Sequence, residues 1–194
     1  MKLRSQDVVV ALKLVASGAS PWSYAKLGEE LGISASQAFA SVARARDAHL
    51  LDYAAILPRA RPVRLVRLVR PSRDRMAALP RPNRGNLKEF LVHGVKYVFP
   101  VERGGETRGI PTAEAAPPLK QHFPQDFPLP PVWPYAEGSV RGLEFSPLSK
   151  NVPYAVLHDR KLYELLALLD AVREGRARER EIVIDELTER IDSA

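Results

Sequence analysis

The sequence predicts a mixed α+β fold that is predominantly helical, on three observations. Segments with apolar residues at helical spacing occupy both ends of the chain. Residues 100–135 are rich in proline and also contain four aromatic residues, which indicates an ordered meander packed on a domain. A short strand pattern, roughly residues 140–145, follows Gly138, and a hydrophobic content of 45% is sufficient for a buried core.

Two helices are predicted at the start of the chain. The first spans residues 5–17, where apolar side chains recur at helical spacing after Ser5, a good capping residue. The second spans residues 23–31, between the cap Ser23 and Gly32, where a left-handed residue ends the helix. The side chains expected to be buried on it are Ala25, Leu27 and Leu31.

The third predicted helix opens at Ser34 and runs to about His49, and Gln37 completes a capping box. Two helices joined by a tight glycine turn form a helix-turn-helix. In DNA-binding proteins the second helix of this unit places its N-terminal residues against base edges in the major groove. The side chains expected to face bases are Ser34, Ala35, Ser36, Gln37, Phe39, Ala40 and Ser41.

Two of these side chains have competing interpretations. Gln37 either caps the helix or reads adenine through its amide group. Phe39 either touches a thymine methyl group or is buried against a partner subunit. The surface holds few charges, so we expect phosphate contacts elsewhere to supply much of the affinity for DNA.

A strongly basic stretch follows the helix-turn-helix. Residues 58–84 contain nine arginines and one acidic residue, Asp74. Residues 1–85 contain 15 Lys and Arg against 6 Asp and Glu, whereas residues 86–194 contain 14 against 17. The front half is therefore expected to attract polyanions, and a guanidinium can donate two parallel hydrogen bonds to one phosphate. The expected phosphate contacts are Lys26, Arg44, Arg46, Arg59, Arg61, Arg64 and Arg67.

Residues 52–70 are predicted to form a wing, with strands at 53–57 and 63–69 around a turn. Arginine at every third position of VRLVRLVR fits neither strand nor helix periodicity well. A short helix ended before Pro71 and a disordered arm therefore remain alternatives. Residues 71–85 are interpreted as a proline-rich linker.

The string YAKLGEELGISASQAFASVARARDAHLL, residues 24–51, resembles the helix-turn-helix core of winged-helix regulators of the MarR-like kind. The matching features are Ala25, the LGIS turn, the inward-facing Ala38 and Val42, and the closing leucines. The resemblance implies a winged helix-turn-helix domain over residues 1–70 that binds duplex DNA. The alternative is a helical hairpin that serves only as a scaffold or a dimer contact.

The rear half, residues 86–194, is predicted to mediate dimerisation or partner binding. Its first helix is expected to begin at Asn86, with Glu89 completing a capping box. The further elements predicted are a strand near 95–99 and helices at 159–173 and 177–192.

The phrases LKEFLVHGVKYVFPVERGGETRGIPT, PVWPYAEGSVRG and LYELLALLDAVREGRARER in the rear half resemble those of a bacterial protein family with a helix-turn-helix front. That family is associated with the regulator or antitoxin half of toxin–antitoxin operons, such as the AbiE type. The resemblance implies a cognate toxin or neighbouring-gene protein as a partner, and it transfers no catalytic residue.

The residues give little indication of catalysis. The absence of cysteine excludes disulfides, iron–sulfur clusters and thiolate zinc sites. The four histidines lack helical metal spacing, and the Gly104-Gly105 pair is not followed by the lysine of a P-loop. His93 is interpreted as a structural histidine. The ion pairs expected around the glycines join Arg103 and Arg108 to Glu102, Glu106 or Glu114.

These observations predict a cytoplasmic DNA-binding transcriptional regulator, an autorepressor that acts as a homodimer without cofactor or metal, and not an enzyme. Such a regulator can also be the antitoxin of a toxin–antitoxin pair. The alternative is an adaptor or antitoxin that neutralises a cognate enzyme without specific DNA readout. A nucleotide-acting enzyme with its site at residues 102–108 is a third hypothesis. Lys13 interrupts the apolar start, and no apolar run approaches the roughly 18 residues of a membrane span.

Overall fold

The computed structural model describes residues 2–53, 79–123, 128–174 and 180–193. The fold is α+β and predominantly helical, as predicted. The helices are α1 (Ser5–Ser17), α2 (Tyr24–Leu31), α3 (Ala35–Asp47), α4 (Arg84–Glu89), α5 (Val95–Val98), α6 (Val152–Val156), α7 (Arg160–Glu174) and α8 (Arg180–Ser193). The strands are β1 (Leu51–Tyr53), β2 (Pro80–Pro82), β3 (Arg103–Pro111), β4 (Pro131–Pro134) and β5 (Val140–Phe145). Within the described ranges, no helix combines the length and apolar character needed to cross a bilayer.

Helix α1 is enclosed by protein on every side. All ten residues from Asp7 to Ala16 are buried, not only the single apolar face that the periodicity predicted. Helix α3 packs on α1 from the front half and α7 packs on it from the rear half. The two halves therefore share one hydrophobic core, and the predicted division between residues 1–70 and 86–194 does not separate two cores.

The two charged side chains in this buried stretch of α1, Asp7 and Lys13, are both paired. Lys13 Nζ lies 2.6 Å from a carboxylate oxygen of Asp159 and 2.9 Å from one of Glu30. Asp159 also accepts the backbone N–H of Leu162 at 2.9 Å, at the start of α7. Burial lowers the pKa of Lys13, but its hydrogen bonds to the two carboxylates outweigh burial and the net shift is upward. Lys13 thus joins α1 to α2 and α7 as a cation.

Two helix starts differ from the predictions. Arg4 occupies the cap position of α1 in place of Ser5, and its backbone N–H donates to the Asp7 carboxylate at 2.8 Å. Helix α4 begins after Asn83, whose Oδ1 accepts the N–H of Asn86 at 3.1 Å. Asn86 is therefore inside the helix rather than its cap. Both asparagines are good capping residues, and the earlier one caps because strand β2 ends immediately before it.

Strands β1 and β2 form an antiparallel ribbon in which Tyr53 lies opposite Pro80. Strand β2 falls within the segment predicted as a linker, so that part of the linker is strand. The predicted wing strands, 53–57 and 63–69, lie outside the described residues apart from Tyr53, and the wing, helix and arm alternatives stay predictions.

Residues 95–98 of the segment 95–99, which was predicted as a strand, are helical. A π-helical turn, Phe90–Gly94, continues α4 into α5, and the Phe99 N–H donates to the Val95 carbonyl at 2.8 Å. Val95 is fully buried in the core. The β-branched Val95 and Val98 favour a strand only weakly, and packing against the core outweighs that preference.

The proline-rich meander contains two strands of a small three-stranded sheet. Strand β3 pairs antiparallel with both β4 and β5, while β4 runs parallel to β5. Strand β5 coincides with the predicted strand, but β3 was missed because RGGETRGIP lacks apolar alternation. The predicted ion pairs are also corrected, since Glu106 pairs with Arg141 at 2.9 Å and Arg103 pairs with Glu174.

A buried polar cluster joins α7 to this sheet. Asp170 Oδ2 accepts hydrogen bonds from Thr112 Oγ1 at 3.0 Å and from Trp133 Nε1 at 2.6 Å. Asp170 Oδ1 accepts a hydrogen bond from Arg173 at 2.6 Å. Burial raises the pKa of the Asp170 carboxyl, although Arg173 and the hydrogen bonds favour its ionised form. Arg173 further donates to the backbone carbonyls of Phe99, Pro100 and Ser146.

Replacing Asp170 by asparagine is expected to lower the free energy of unfolding by about 3 kcal/mol, because Arg173 is left buried without its carboxylate partner. The matched control is Asp185→Asn at an exposed position of α8. We expect that change to alter the free energy by less than about 0.5 kcal/mol. Urea denaturation followed by circular dichroism measures both variants, and equal midpoints would contradict a stabilising role for the cluster.

Candidate nucleic-acid interface

Helices α2 and α3 are joined by a tight turn at Gly32, which has φ of 63° and is left-handed, as predicted. The close approach of the two helices depends on Gly28, where an added Cβ would lie 2.6 Å from the carbonyl oxygen of Ile33. Ala25, predicted to be buried, is exposed. Gly28 is thus the small residue that lets the turn form.

The caps of both helices match the predictions. Ser23 Oγ accepts the N–H of Lys26 at 3.2 Å. Ser34 Oγ accepts the N–H of Gln37 at 3.1 Å, and Gln37 Oε1 accepts the N–H of Ser34 at 2.9 Å. This capping box uses the amide oxygen that a two-bond contact with adenine needs. The capping role of Gln37 is confirmed, and its base-reading role stays a prediction.

Arg44 is turned inward, so the prediction that it contacts DNA phosphate is corrected. Its residue is 8% exposed, and its Nε and NH2 donate to the two carboxylate oxygens of Asp7 at 2.8 and 2.7 Å. The NH2 group also donates to Ser41 Oγ at 3.0 Å. Ser41 is fully buried and is likewise corrected as a DNA contact. The sequence signal that was missed is Asp7, an acid at the start of an apolar helix, which requires a buried cation.

The solvent-facing side of α3 carries an aromatic side chain, Phe39, which is 58% exposed. A helix turns about 100° per residue, so Ala35, Phe39 and Ala43 form one stripe along this side. Ala35 is exposed and Ala43 is half-buried. The predicted base-facing residues that are exposed or half-buried are Ser34, Ala35, Ser36, Gln37, Phe39 and Ala40.

Phe39 is held by a row of aromatic rings. Its ring centroid lies 5.3 Å from that of Tyr24 in an edge-to-face arrangement, and Tyr24 lies 5.3 Å from Trp22 in the same arrangement. Each such pair contributes about 1 kcal/mol beyond the area it buries. Burial raises the pKa of the Tyr24 hydroxyl, which favours its neutral form. The row Trp22–Tyr24–Phe39 therefore fixes the direction in which Phe39 projects.

Arg46 lies at the C-terminal end of the same stripe and is half-buried. It donates to the Tyr53 hydroxyl at 2.6 Å, and its guanidinium carbon lies 5.4 Å from the centre of that ring. A second contact joins it to Asp47 at 3.3 Å. Lys26 is exposed, 3.8 Å from Glu30. Unlike Arg44, these two cations are accessible to a phosphate.

The described residues on either side of the segment 54–78 lie beside α3. Arg59, Arg61, Arg64 and Arg67 lie outside the described residues. Tyr53, which precedes the segment, contacts Arg46 and pairs with Pro80, which follows the segment. The points at which the segment joins the described fold are therefore close to the C-terminal end of α3.

Histidines and acids provide no evident chemical centre. Among the residues that the structure describes, no group of three His, Asp or Glu side chains is placed to hold a metal ion. His93, predicted to be structural, is exposed, since Leu91 and Val92 occupy the buried positions of that turn. The predicted loop 102–108 lies largely in strand β3.

Comparisons with protein-family models, with curated proteins and with solved structures found no match for this chain. The geometry itself defines a helix-turn-helix with an exposed second helix, beside a two-stranded ribbon.

Arg44→Met is expected to lower the free energy of unfolding by about 3 kcal/mol, because Asp7 is left buried without its cation. Arg46→Met makes the same chemical change on the exposed side of α3 and should cost less than about 1 kcal/mol. Chemical denaturation of both variants measures the difference. Equal losses of stability would contradict the distinction between the buried and the exposed arginine.

Proposed function

We propose that the protein binds double-stranded DNA through the exposed side of α3 and acts as a transcriptional regulator. The observation that carries the proposal is the exposed N-terminal half of α3, a helix whose C-terminal end lies beside the ribbon that the arginine-rich segment adjoins. A helix about 10–12 Å in diameter fits the major groove of B-DNA, which is about 12 Å wide.

The distribution of charge supports this proposal. Arg44 is ion-paired with Asp7. We therefore assign the contacts to the phosphate backbone of the DNA to Arg46, Lys26 and the arginines of residues 58–84. Contacts of this kind set the position of a protein on the duplex, whereas contacts to base edges select the sequence. In the proposal, the arginine-rich segment binds the DNA phosphates while α3 contacts the base edges.

In the proposal, the protein regulates transcription by binding its own promoter, because a bound protein excludes RNA polymerase from that site. We place this activity in the cytoplasm, with a homodimer on a palindromic site as the acting species. Residues 86–194 carry more acidic than basic side chains, so they suit contact with a second subunit or with a cognate toxin better than contact with DNA.

A second candidate function is a protein-interaction module. The observation that favours it is the exposure of Phe39 at the centre of an alanine-flanked stripe, because exposed aromatic side chains are common at protein interfaces. In this alternative, α3 docks on a partner protein such as a cognate toxin, and its binding to duplex DNA has no sequence preference.

Binding to duplex DNA is expected to depend steeply on salt. If six to ten phosphates are neutralised, affinity should fall by roughly 10³-fold or more between about 50 and 200 mM salt. Fluorescence anisotropy with a labelled duplex from the protein's own upstream region measures this. A lack of attachment to any duplex at low ionic strength would rule out the proposed function.

Removing charge from the arginine-rich segment, residues 58–84, should reduce the dependence of DNA affinity on salt concentration. We expect a glutamine variant at four arginines to lose about 3 to 4 units of slope in log affinity against log salt, at about 0.9 unit per phosphate contact. The four positions are Arg59, Arg61, Arg64 and Arg67. The control removes the same charge from exposed cations of the rear half, namely Arg108, Arg141, Arg160 and Lys161. Equal slopes for the two variants would show that the segment does not contact the duplex.

A further inference from the structure

We propose that Phe39 is a specificity-determining residue that recognises the 5-methyl group of a thymine in the major groove. This inference rests on the proposed binding of duplex DNA and names the chemical feature that α3 selects. It is independent of the arginine segment, because that segment is assigned to phosphates.

The position of Phe39 on α3 is the first argument. Phe39 lies at the middle of the exposed stripe between Ala35 and Ala43. Gln37 lies about 160° around the helix from Phe39, because successive residues are about 100° apart. If α3 enters the groove by the side that bears Phe39, Phe39 reaches the base edges and Gln37 faces away from them.

The chemistry of the stripe is the second argument. The side chains of Phe39, Ala35 and Ala43 carry no hydrogen-bonding groups. Most base-edge groups in the major groove are donors or acceptors, and covering them with an apolar surface leaves them unpaired at a free-energy cost. The thymine methyl group is the apolar feature of the natural base edges, so this stripe favours a T·A pair at the position it covers.

The rigidity of Phe39 is the third argument. An exposed phenylalanine is normally free to change rotamer, and fixing it on binding costs free energy. Here the edge-to-face contact with Tyr24, itself held by Trp22, already restricts the ring. Arg46 lies on the same stripe toward the C-terminal end of α3, where it can meet the phosphate backbone while Phe39 meets the bases.

The test removes the methyl group from the DNA. A duplex is selected from a randomised library at low salt, and each thymine in it is replaced in turn by deoxyuridine, which lacks only the 5-methyl group. For the wild-type protein we expect one thymine in each half-site at which this change weakens binding about three- to fivefold, the effect of one buried methyl group.

Variants of Phe39 then assign the effect to this side chain. Phe39→Ser is expected to bind the thymine and deoxyuridine duplexes equally at that position, while Phe39→Leu, which keeps an apolar group, retains part of the difference. The matched control is Tyr97→Ser, at an aromatic residue that is 76% exposed on α5, and it should retain the whole difference. Circular dichroism checks that each variant is folded, and the wild-type measurement needs no variant.

The outcomes separate this inference from the proposed function. Duplex binding that is indifferent to every deoxyuridine substitution overturns the role of Phe39 and leaves DNA binding intact, whereas no duplex binding overturns both. A cytosine and a 5-methylcytosine duplex are compared at the same position, and stronger binding to 5-methylcytosine than to thymine overturns the assignment to thymine. If Phe39→Ser instead halves the mass in light scattering and leaves the deoxyuridine effect unchanged, Phe39 is a subunit contact.

Discussion

Burial of α1 on every side is the constraint on which the rest of the described structure depends. A charged side chain inside such a helix must be matched, because an uncompensated buried charge costs several kcal/mol. Asp7 is matched by Arg44, which sets the position of α3. Lys13 is matched by Glu30 and Asp159, which set the positions of α2 and of the start of α7. The helices α2 and α3 and the rear helix α7 are thus arranged around the buried helix α1.

The burial of α1 also determines which side chains of α3 are available to a ligand. One of its two arginines, Arg44, is used inside the protein, and the outward side keeps Phe39, Gln37, small residues and, at its C-terminal end, Arg46. In the proposed function, affinity and selectivity are therefore divided between two parts of the chain. The segment tethered at the β1–β2 ribbon supplies charge, while α3 supplies shape and apolar contact. This division follows the general separation of phosphate and base contacts in DNA recognition.

The sequence alone predicted those structural features whose stabilising contacts join residues close together in the chain. The caps Ser23 and Ser34 were predicted correctly because each acts on an N–H three residues along the chain. Arg44 was misassigned because its partner, Asp7, is 37 positions away and periodicity does not reveal such pairs. The strand expected at 95–99 failed for a similar reason, since core packing outweighed residue preference. For the candidate site, the sequence predicted the helix α3 and the exposure of most of its base-facing candidates, whereas Ser41 and Arg44 are buried. The assignment of α3 as the site stays a prediction.

The register of the β1–β2 ribbon has a consequence for how such a protein can diverge. Because Tyr53 lies opposite Pro80, the positions at which residues 54–78 join the described fold are adjacent. In general, the entropy cost of closing a loop grows slowly, by only about 0.6 kcal/mol for each doubling of its length. An insertion or deletion between Tyr53 and Pro80 is therefore expected to cost little stability. In the proposed function, evolution could change the charge that holds a polyanion without changing the surface of α3 that discriminates among targets.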